Sequence, residues 1–216
     1  MTAATALLKP NHPGNLFGAQ DVDVVEADTD KSLLVVSPYT SPPHLLNLAR
    51  YSKASQLFAK ALTFFQPVRE DYATAEYAES FNFAEVMETL RLLSKDEGYT
   101  WKNTEFYVVS FRSQLSPNAD PERLFQLDAY SHQEAMASGG LLKYWYGVKD
   151  QNRRNLATCF WESRQHARDG GRGPWHAKAR AAAAVWYESI VFRTYVLTIR
   201  DDVGNWDITD FVEKAA

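Results

Sequence analysis

The chain is poor in cysteine and in long apolar stretches. Cys159 is its single cysteine, so no internal disulfide and no zinc site built on several cysteines can form, and the chain fits a reducing compartment. No stretch approaches the roughly 18 consecutive apolar residues of a membrane span, and residues 1–18 lack the basic and apolar segments of a secretion signal. These absences predict a cytoplasmic protein, with the nucleus as the alternative, and no membrane partner.

The chain also lacks an excess of positive charge and the glycine motifs of nucleotide binding. Its 27 acidic and 23 basic residues are mixed along the sequence and give a formal net charge of -4. Nucleic-acid binding normally requires a basic patch or stripe, so we expect no nucleic acid partner. The glycine-rich residues 170–173 lack the Lys-Ser/Thr pair of a phosphate-binding loop, and no G-x-S-x-G motif is present. We predict neither a metal nor any other cofactor.

Hydrophobic residues make up 45% of the chain, and their spacing divides it into three parts. Residues 1–31 carry prolines and an acidic run with little to bury, which predicts a flexible N-terminal arm. Residues 32–103 predict a mainly helical extension that packs on the core of the protein. Its expected elements are an edge strand at 33–36, a long helix at 44–65, a strand at 72–79 and a helix at 82–98.

Residues 104–216 predict an α+β domain. The expected elements are a strand at 104–112, one broken helix or two short helices at 121–138, a hairpin of strands at 141–147 and 156–161, a short helical turn after Ser163, a helix from Pro174 and a last strand at 189–200. Their order is β-α-β-β-α-β, which is the order of a ferredoxin-like unit. We expect the short tail after this unit to dock back through Trp206 and Phe211.

The predicted sheet is apolar on both faces. In the strand at 141–147, alternation places one set of side chains on one face (Leu142, Tyr144, Tyr146) and the other set on the opposite face (Leu141, Lys143, Trp145). A sheet that is apolar on both sides must be covered on both sides, and one pair of helices covers only one of them. The second face therefore requires a partner subunit, the N-terminal helices or a ligand.

Several polar side chains are candidates for chemistry in such a pocket. His176 follows Pro174 at a helix N-terminus, where the helix dipole would lower its pKa and keep the imidazole neutral, as a catalytic base requires. Arg112 and Arg193 lie on strands and would polarise an oxygen atom if they converge. The alternatives are a locally hydrogen-bonded histidine and arginines in surface ion pairs. His132 and Glu134 have the H-x-E spacing, but residues i and i+2 do not share a helix face, which argues against a metal site.

The residues of the predicted hairpin and those that follow it carry a family resemblance. Residues 157–163, the following residues 164–167 and the helix after Pro174 resemble the third strand and second helix of dimeric α+β barrel proteins related to antibiotic-biosynthesis monooxygenases. Residues 139–147 and 155–161 are similar to an uncharacterised family of fungal proteins. The resemblance covers about residues 104–200, and it implies a homodimer in which two subunits join their sheets into a barrel.

The resemblance implies a function on small molecules. It suggests a cofactor-independent oxygenase or an isomerase acting on a hydrophobic, aromatic substrate. In that interpretation His176 and Arg112 are catalytic, and the substrate is bound by Tyr144, Tyr146, Trp161, Trp175 and Arg193. The alternative is a non-catalytic ligand-binding or protein-interaction module. Haem binding is the least favoured, because the family's haem-site positions fall near Ser110, Gly170 and Arg180 in this sequence.

Overall fold

The computed structural model describes residues 32–213, so the expected flexible arm at 1–31 lies outside the described residues. The N-terminal part contains a small two-stranded antiparallel sheet and two helices. These elements are β1 (Leu33–Val35), β2 (Leu45–Asn47), α1 (Lys53–Ala61) and α2 (Phe83–Asp96). The edge strand and the second helix of this part were both expected from the sequence.

The remaining elements form a five-stranded antiparallel sheet with helices on one face. They are β3 (Thr104–Leu115), α3 (Pro121–Ser138), β4 (Leu141–Tyr146), β5 (Arg154–Trp161), α4 (Arg164–Gly170), α5 (Pro174–Trp186), β6 (Tyr187–Ile199) and β7 (Trp206–Asp210). The strand order is β4-β5-β3-β6-β7. Its first four strands have the ferredoxin-like arrangement, and β7 extends the sheet beyond β6. The predicted α+β fold class is confirmed.

Local sequence signals explain where the helices of this unit begin and end. The Asp120 carboxylate accepts a hydrogen bond from the backbone N–H of Arg123 at 3.0 Å, and Pro121 occupies the first helical position of α3. Ser163 caps α4 in the same way. Gly140 has a φ of +78°, and a Cβ there would come within 2.4 Å of the His166 side chain, so only glycine fits between α3 and β4.

Three predictions about single elements were wrong. The helix expected at 44–65 begins only at Lys53, because residues 45–47 pair with β1 and Ser52 caps the helix. Residues 72–79 form turns instead of a strand, since the Arg112 guanidinium binds the carbonyl oxygens of this segment. Residues 121–138 form one unbroken helix instead of the expected broken helix or two short helices.

The N-terminal part covers one face of the large sheet. The rings of Phe58 and Phe106 pack at 4.3 Å between centroids, Phe65 contacts Phe160 at 5.0 Å, and Tyr77 stacks on Tyr195 at 4.7 Å. One hydrophobic core is continuous across these contacts. The domain boundary at residue 103 therefore stays a prediction, whereas the opposite face of the sheet is left to α3 and α5.

Candidate ligand-binding cavity

A cavity of about 450 Å³ lies between the sheet and the helices α3 and α5. The sheet contributes alternate residues of its strands, because every second side chain points to the same face. These residues include Val109, Phe111, Tyr144, Tyr146, Ala157, Cys159, Trp161, Ile190 and Phe192. Most of the wall is apolar or aromatic, and its polar groups include Asp128, Ser131 and His132 of α3 and Tyr39 of the N-terminal part.

Four of the residues predicted for the site line this cavity. They are Tyr144 and Tyr146 on β4, Trp161 at the end of β5 and His176 near the start of α5. A bulge between Leu141 and Lys143 also moves Leu141 onto the face of Tyr144, whereas regular alternation predicted the opposite face. The aromatic character of β4 therefore does indicate the position of the cavity.

The other three predicted site residues do not line the cavity. Arg112 lies on the opposite face of the sheet, where it donates hydrogen bonds to the carbonyl oxygens of Tyr72, Ala73 and Ala75. Arg193 is exposed on β6. Trp175 stacks on Tyr130 with ring centroids 4.2 Å apart and lies outside the cavity wall. None of the three is placed to touch a molecule bound in the cavity.

His176 has a fixed partner that the sequence did not reveal. Its Nδ1 lies 3.0 Å from the Glu134 carboxylate, which also accepts the backbone N–H groups of Trp175 at 2.7 Å and His176 at 3.1 Å. Burial opposes the charge, but these donors hold the pKa of Glu134 below its usual range. Because a carboxylate only accepts, Nδ1 of His176 donates the hydrogen of this bond, and Nε2 is the ring atom left to exchange a proton with a bound molecule.

Asp128 on α3 accepts hydrogen bonds from two tyrosines. The hydroxyl of Tyr39, from the N-terminal part, donates at 2.5 Å, and the hydroxyl of Tyr144, from β4, donates at 2.6 Å. Burial raises the pKa of Asp128, although both hydroxyls stabilise its anion. Burial and the Asp128 charge raise the pKa of Tyr146 to about 12. Burial and Asp128 also raise the pKa values of Tyr39 and Tyr144, so both hydroxyls stay protonated and act as donors at neutral pH.

A pair of buried histidines lies beside this carboxylate. The Nδ1 atoms of His44 and His132 are 2.8 Å apart, and the amide nitrogen of Gln133 lies 3.2 Å from Nε2 of His44. Burial lowers the pKa of His132 to about 3 and also lowers the pKa of His44, so both rings are neutral at pH 7.

The hydrogen bonds of the pair define the tautomers. An amide nitrogen only donates, so Nε2 of His44 accepts and its hydrogen is on Nδ1. That hydrogen is donated to Nδ1 of His132, which leaves the hydrogen of His132 on Nε2. Within the described residues Nε2 of His132 has no hydrogen-bond partner. The same holds for the hydroxyl of Ser131.

The polar residues of α3 were not predicted to be part of the site, although their spacing in the sequence indicates a shared helix face. Asp128, Ser131 and His132 are spaced i, i+3 and i+4, and Ala135 continues this series at i+7. This pattern places polar groups on the buried face of an amphipathic helix. Their partners Tyr39 and His44 come from a distant segment, which no local pattern connects to α3.

Between residues 32 and 213 no group of three or more His, Cys, Asp or Glu side chains is arranged to hold a metal ion. Within the same range no helix is both long enough and apolar enough to cross a membrane. The cavity and its polar wall are therefore the features from which a function can be argued.

The model of the PB2B2.08-like family matches residues 35–210. The chain belongs to this family. A relative from Schizosaccharomyces pombe, UPF0643 protein PB2B2.08, is 37% identical over 184 residues, which cover 81% of this chain and 83% of the relative. The matched range of the PB2B2.08-like family includes both the N-terminal part and the cavity. The predicted membership in a fungal family is confirmed.

Two solved structures of antibiotic-biosynthesis-monooxygenase-like proteins also match. The protein from Nitrosomonas europaea is 13% identical with a TM-score of 0.36, and the match covers 42% of this chain and 94% of that one. The protein from Chloroflexus aurantiacus is 14% identical with a TM-score of 0.33, and the match covers 51% of this chain and 97% of that one.

Proposed function

We propose that this chain binds a hydrophobic, aromatic small molecule in the cavity between the sheet and the helices α3 and α5. The observation that carries the proposal is a cavity of about 450 Å³ whose wall is chiefly apolar and includes three neighbouring polar side chains of α3. Ligand sites commonly have volumes of roughly 300 to 1,000 Å³ and combine an apolar lining with a few polar groups that orient the ligand. Tyr144, Tyr146 and Trp161 would contact its rings.

Two neighbouring alanines of α5 allow a matched test of binding. Ala183 lines the cavity, whereas Ala184 is exposed on the same helix. We expect 2-naphthol to bind the wild-type protein, as measured by its fluorescence. Ala183→Phe fills the cavity and should weaken binding at least about tenfold, whereas Ala184→Phe should leave the affinity within about twofold. Equal affinity of both variants, or no binding to the wild-type protein, would contradict the proposal.

A second candidate function is proton transfer on the bound molecule, as in an isomerase or a cofactor-independent oxygenase. The observation that favours it is the Glu134–His176 pair, which leaves Nε2 of His176 free to take a proton at the cavity wall. An isomerase would return this proton to another carbon. An oxygenase would add the deprotonated carbon of the substrate to O₂ to form a hydroperoxide. Loss of water from the hydroperoxide would then leave a carbonyl, so that the substrate supplies all four electrons, one oxygen atom stays in the product and the other leaves as water.

The proton-transfer step can be separated from binding. The α-hydrogens of 2-tetralone, an aromatic ketone, exchange with deuterium of the solvent when a base removes them, and NMR follows the exchange. We expect the wild-type protein to accelerate this exchange and His176→Ala to abolish the acceleration with little change in affinity. An exchange rate equal to that in buffer would assign the cavity to binding alone.

Homodimerisation, which the resemblance implies, is also retained as a proposal. β7 pairs with β6 at residues 195–199, and the backbone N–H of Phe211 donates to the carbonyl oxygen of Thr194, so within the described residues the outer edge of β6 is free at 187–193. Val191 and Phe192 are exposed on this segment, at 52% and 56%. A free strand edge with apolar side chains is suited to pairing with a second copy. A single-chain mass in light scattering would exclude this assembly.

A further inference from the structure

The polar groups of α3 lie together on the cavity wall. Asp128, Ser131 and His132 follow the i, i+3, i+4 spacing, so they share one face of the helix, and all three line the cavity. Ser131 is 8% exposed and His132 is 4% exposed. This face therefore presents three polar side chains to a space that is otherwise mostly apolar.

Each of these side chains has hydrogen-bonding capacity that the described residues do not use. The Asp128 oxygens accept from Tyr39 and Tyr144, but two carboxylate oxygens have about four acceptor positions. The Ser131 hydroxyl and Nε2 of His132 have no partner within the described part of the chain. Buried polar groups are nearly always paired, so two unpaired groups beside a carboxylate indicate a place for a polar group of a ligand.

The charges of the wall favour a neutral polar group over an anion. Asp128 makes no salt bridge within residues 32–213, and burial already disfavours its negative charge. Of the basic residues of the lining, Lys149 and Arg180 are exposed, and His176 is already paired with the Glu134 carboxylate. A ligand carboxylate at α3 would lie beside the Asp128 carboxylate without a free buried cation to neutralise either group, and two negative charges close together in an apolar site repel strongly.

The tautomer of His132 distinguishes a hydroxyl from an ammonium group. Nε2 of His132 carries a hydrogen and needs an acceptor, whereas the free positions of Asp128 need a donor. An ammonium group would satisfy Asp128 and leave the His132 donor unpaired. A hydroxyl satisfies both, because it donates one hydrogen bond and accepts others.

We propose that Asp128, Ser131 and His132 form a subsite that recognises a neutral phenolic hydroxyl, which donates to Asp128 and accepts from Nε2 of His132. This inference rests on the proposed binding function and names the ligand class for that cavity. Tyr39 and Tyr144 hold the Asp128 carboxylate in place, and Gln133 and His44 fix the tautomer of His132. The N-terminal part thus helps to build the subsite through Tyr39 and His44.

The test compares ligands of similar shape that differ in one group. Naphthalene, 2-naphthol and 2-naphthoate are titrated into the wild-type protein and into Asp128→Asn, His132→Phe and Ser131→Ala. We expect the wild-type protein to bind 2-naphthol at least about tenfold more tightly than naphthalene and to bind 2-naphthoate more weakly than 2-naphthol. Asp128→Asn and His132→Phe should reduce the preference for 2-naphthol to below about threefold and leave the affinity for naphthalene within about twofold.

Each outcome decides a different question. If naphthalene and 2-naphthol bind equally to the wild-type protein, the subsite is refuted while the binding cavity stands. If neither ligand binds, the proposed function itself fails. Tighter binding of 2-naphthoate would also refute the subsite. If Asp128→Asn or His132→Phe does not fold, Ser131→Ala provides the test, because it removes only a hydroxyl. An unchanged preference of this variant for 2-naphthol over naphthalene would count against the proposal. An unchanged ¹⁵N chemical shift of His132 Nε2 on binding of 2-naphthol to the wild-type protein would also count against it.

Discussion

The two faces of the large sheet differ in how they are filled. On the face covered by residues 32–103, the rings of Phe58, Phe65 and Phe83 pack directly against strand residues such as Phe160, which is fully buried. On the other face, α3 and α5 leave a space of about 450 Å³ above the same strands. The same β5 therefore contributes Phe160 to a filled core and Cys159 to a cavity wall.

The difference shows which part of the chain supplies stability and which part is available for binding. The face covered by residues 32–103, the filled face, has close ring contacts, and its buried Tyr77 and Thr158 hydroxyls are hydrogen-bonded to each other, so it contributes hydrophobic burial. The face with the cavity, the hollow face, brings together the side chains of Asp128, Ser131, His132 and His176, and the hydrogen-bonding capacity of Ser131 and His132 is only partly used within the described residues. Since residues 32–103 cover the filled face, a partner subunit is not needed to remove that face from water.

The largest expected effect comes from removing one aromatic ring from each face of the sheet and comparing the losses of stability. Phe160→Ala creates a cavity in the filled face, and we expect the free energy of unfolding to fall by about 4 kcal/mol. Phe192→Ala removes a ring that is 56% exposed at the cavity, and we expect a loss below about 1 kcal/mol. Urea denaturation measures both. Equal losses would show that the two faces are packed alike.

A second test concerns Lys143, a charged residue on the filled face. Lys143 pairs in register with Phe160 and is 8% exposed, and burial lowers its pKa from 10.5 to about 8. Below pH 8 the lysine is charged in both the folded and the unfolded protein, so the full cost of burying the charge, on the order of 3 kcal/mol, is present. Lys143→Met should therefore raise the free energy of unfolding by up to about this amount at pH 7.

The pH dependence of the free energy of unfolding tests whether burial of the Lys143 charge causes this effect. Between pH 8 and 10.5 the folded protein releases the Lys143 proton before the unfolded protein does, so the wild-type protein gains stability as the pH rises. The advantage of Lys143→Met should shrink over this range and disappear above it. Lys149→Met replaces an exposed lysine and should change the stability by less than about 0.5 kcal/mol at either pH. A constant advantage of Lys143→Met across the range would contradict the assignment.

The order of elements was predictable because its signals are local. Asp120 and Pro121 mark the start of α3, Ser163 marks the start of α4, and Gly140 lies at the turn into β4, so each boundary depends on neighbouring residues. The turns at 72–79 were not predictable in this way. Arg112 binds their carbonyl oxygens from a strand far along the chain, and its effect overrides the strand propensity of the segment.

The site was predictable only in part, for the same reason. The aromatic residues of β4 indicated a cavity wall because alternation assigns them to faces, and Tyr144 and Tyr146 do line it. The contacts of Asp128 with Tyr39 and of His132 with His44 join segments separated by 89 and 88 residues. Side chains so far apart in sequence meet only because the N-terminal part packs against α3. Helix and strand periodicity does not predict such a contact.

The smallest expected effect tests whether the hollow face depends on its polar contacts. Tyr144→Phe removes the hydroxyl that donates to Asp128 at 2.6 Å, and we expect the free energy of unfolding to fall by about 1.5 kcal/mol, because the carboxylate stays buried with one donor fewer. Tyr107→Phe is the matched control, since Tyr107 is half-buried on the same sheet and its hydroxyl has no hydrogen bond within the described residues. If the free energy of unfolding falls equally in both variants, the hydrogen bond from Tyr144 to Asp128 contributes nothing to stability beyond the packing of the ring. The polar groups of α3 would then have no role in folding.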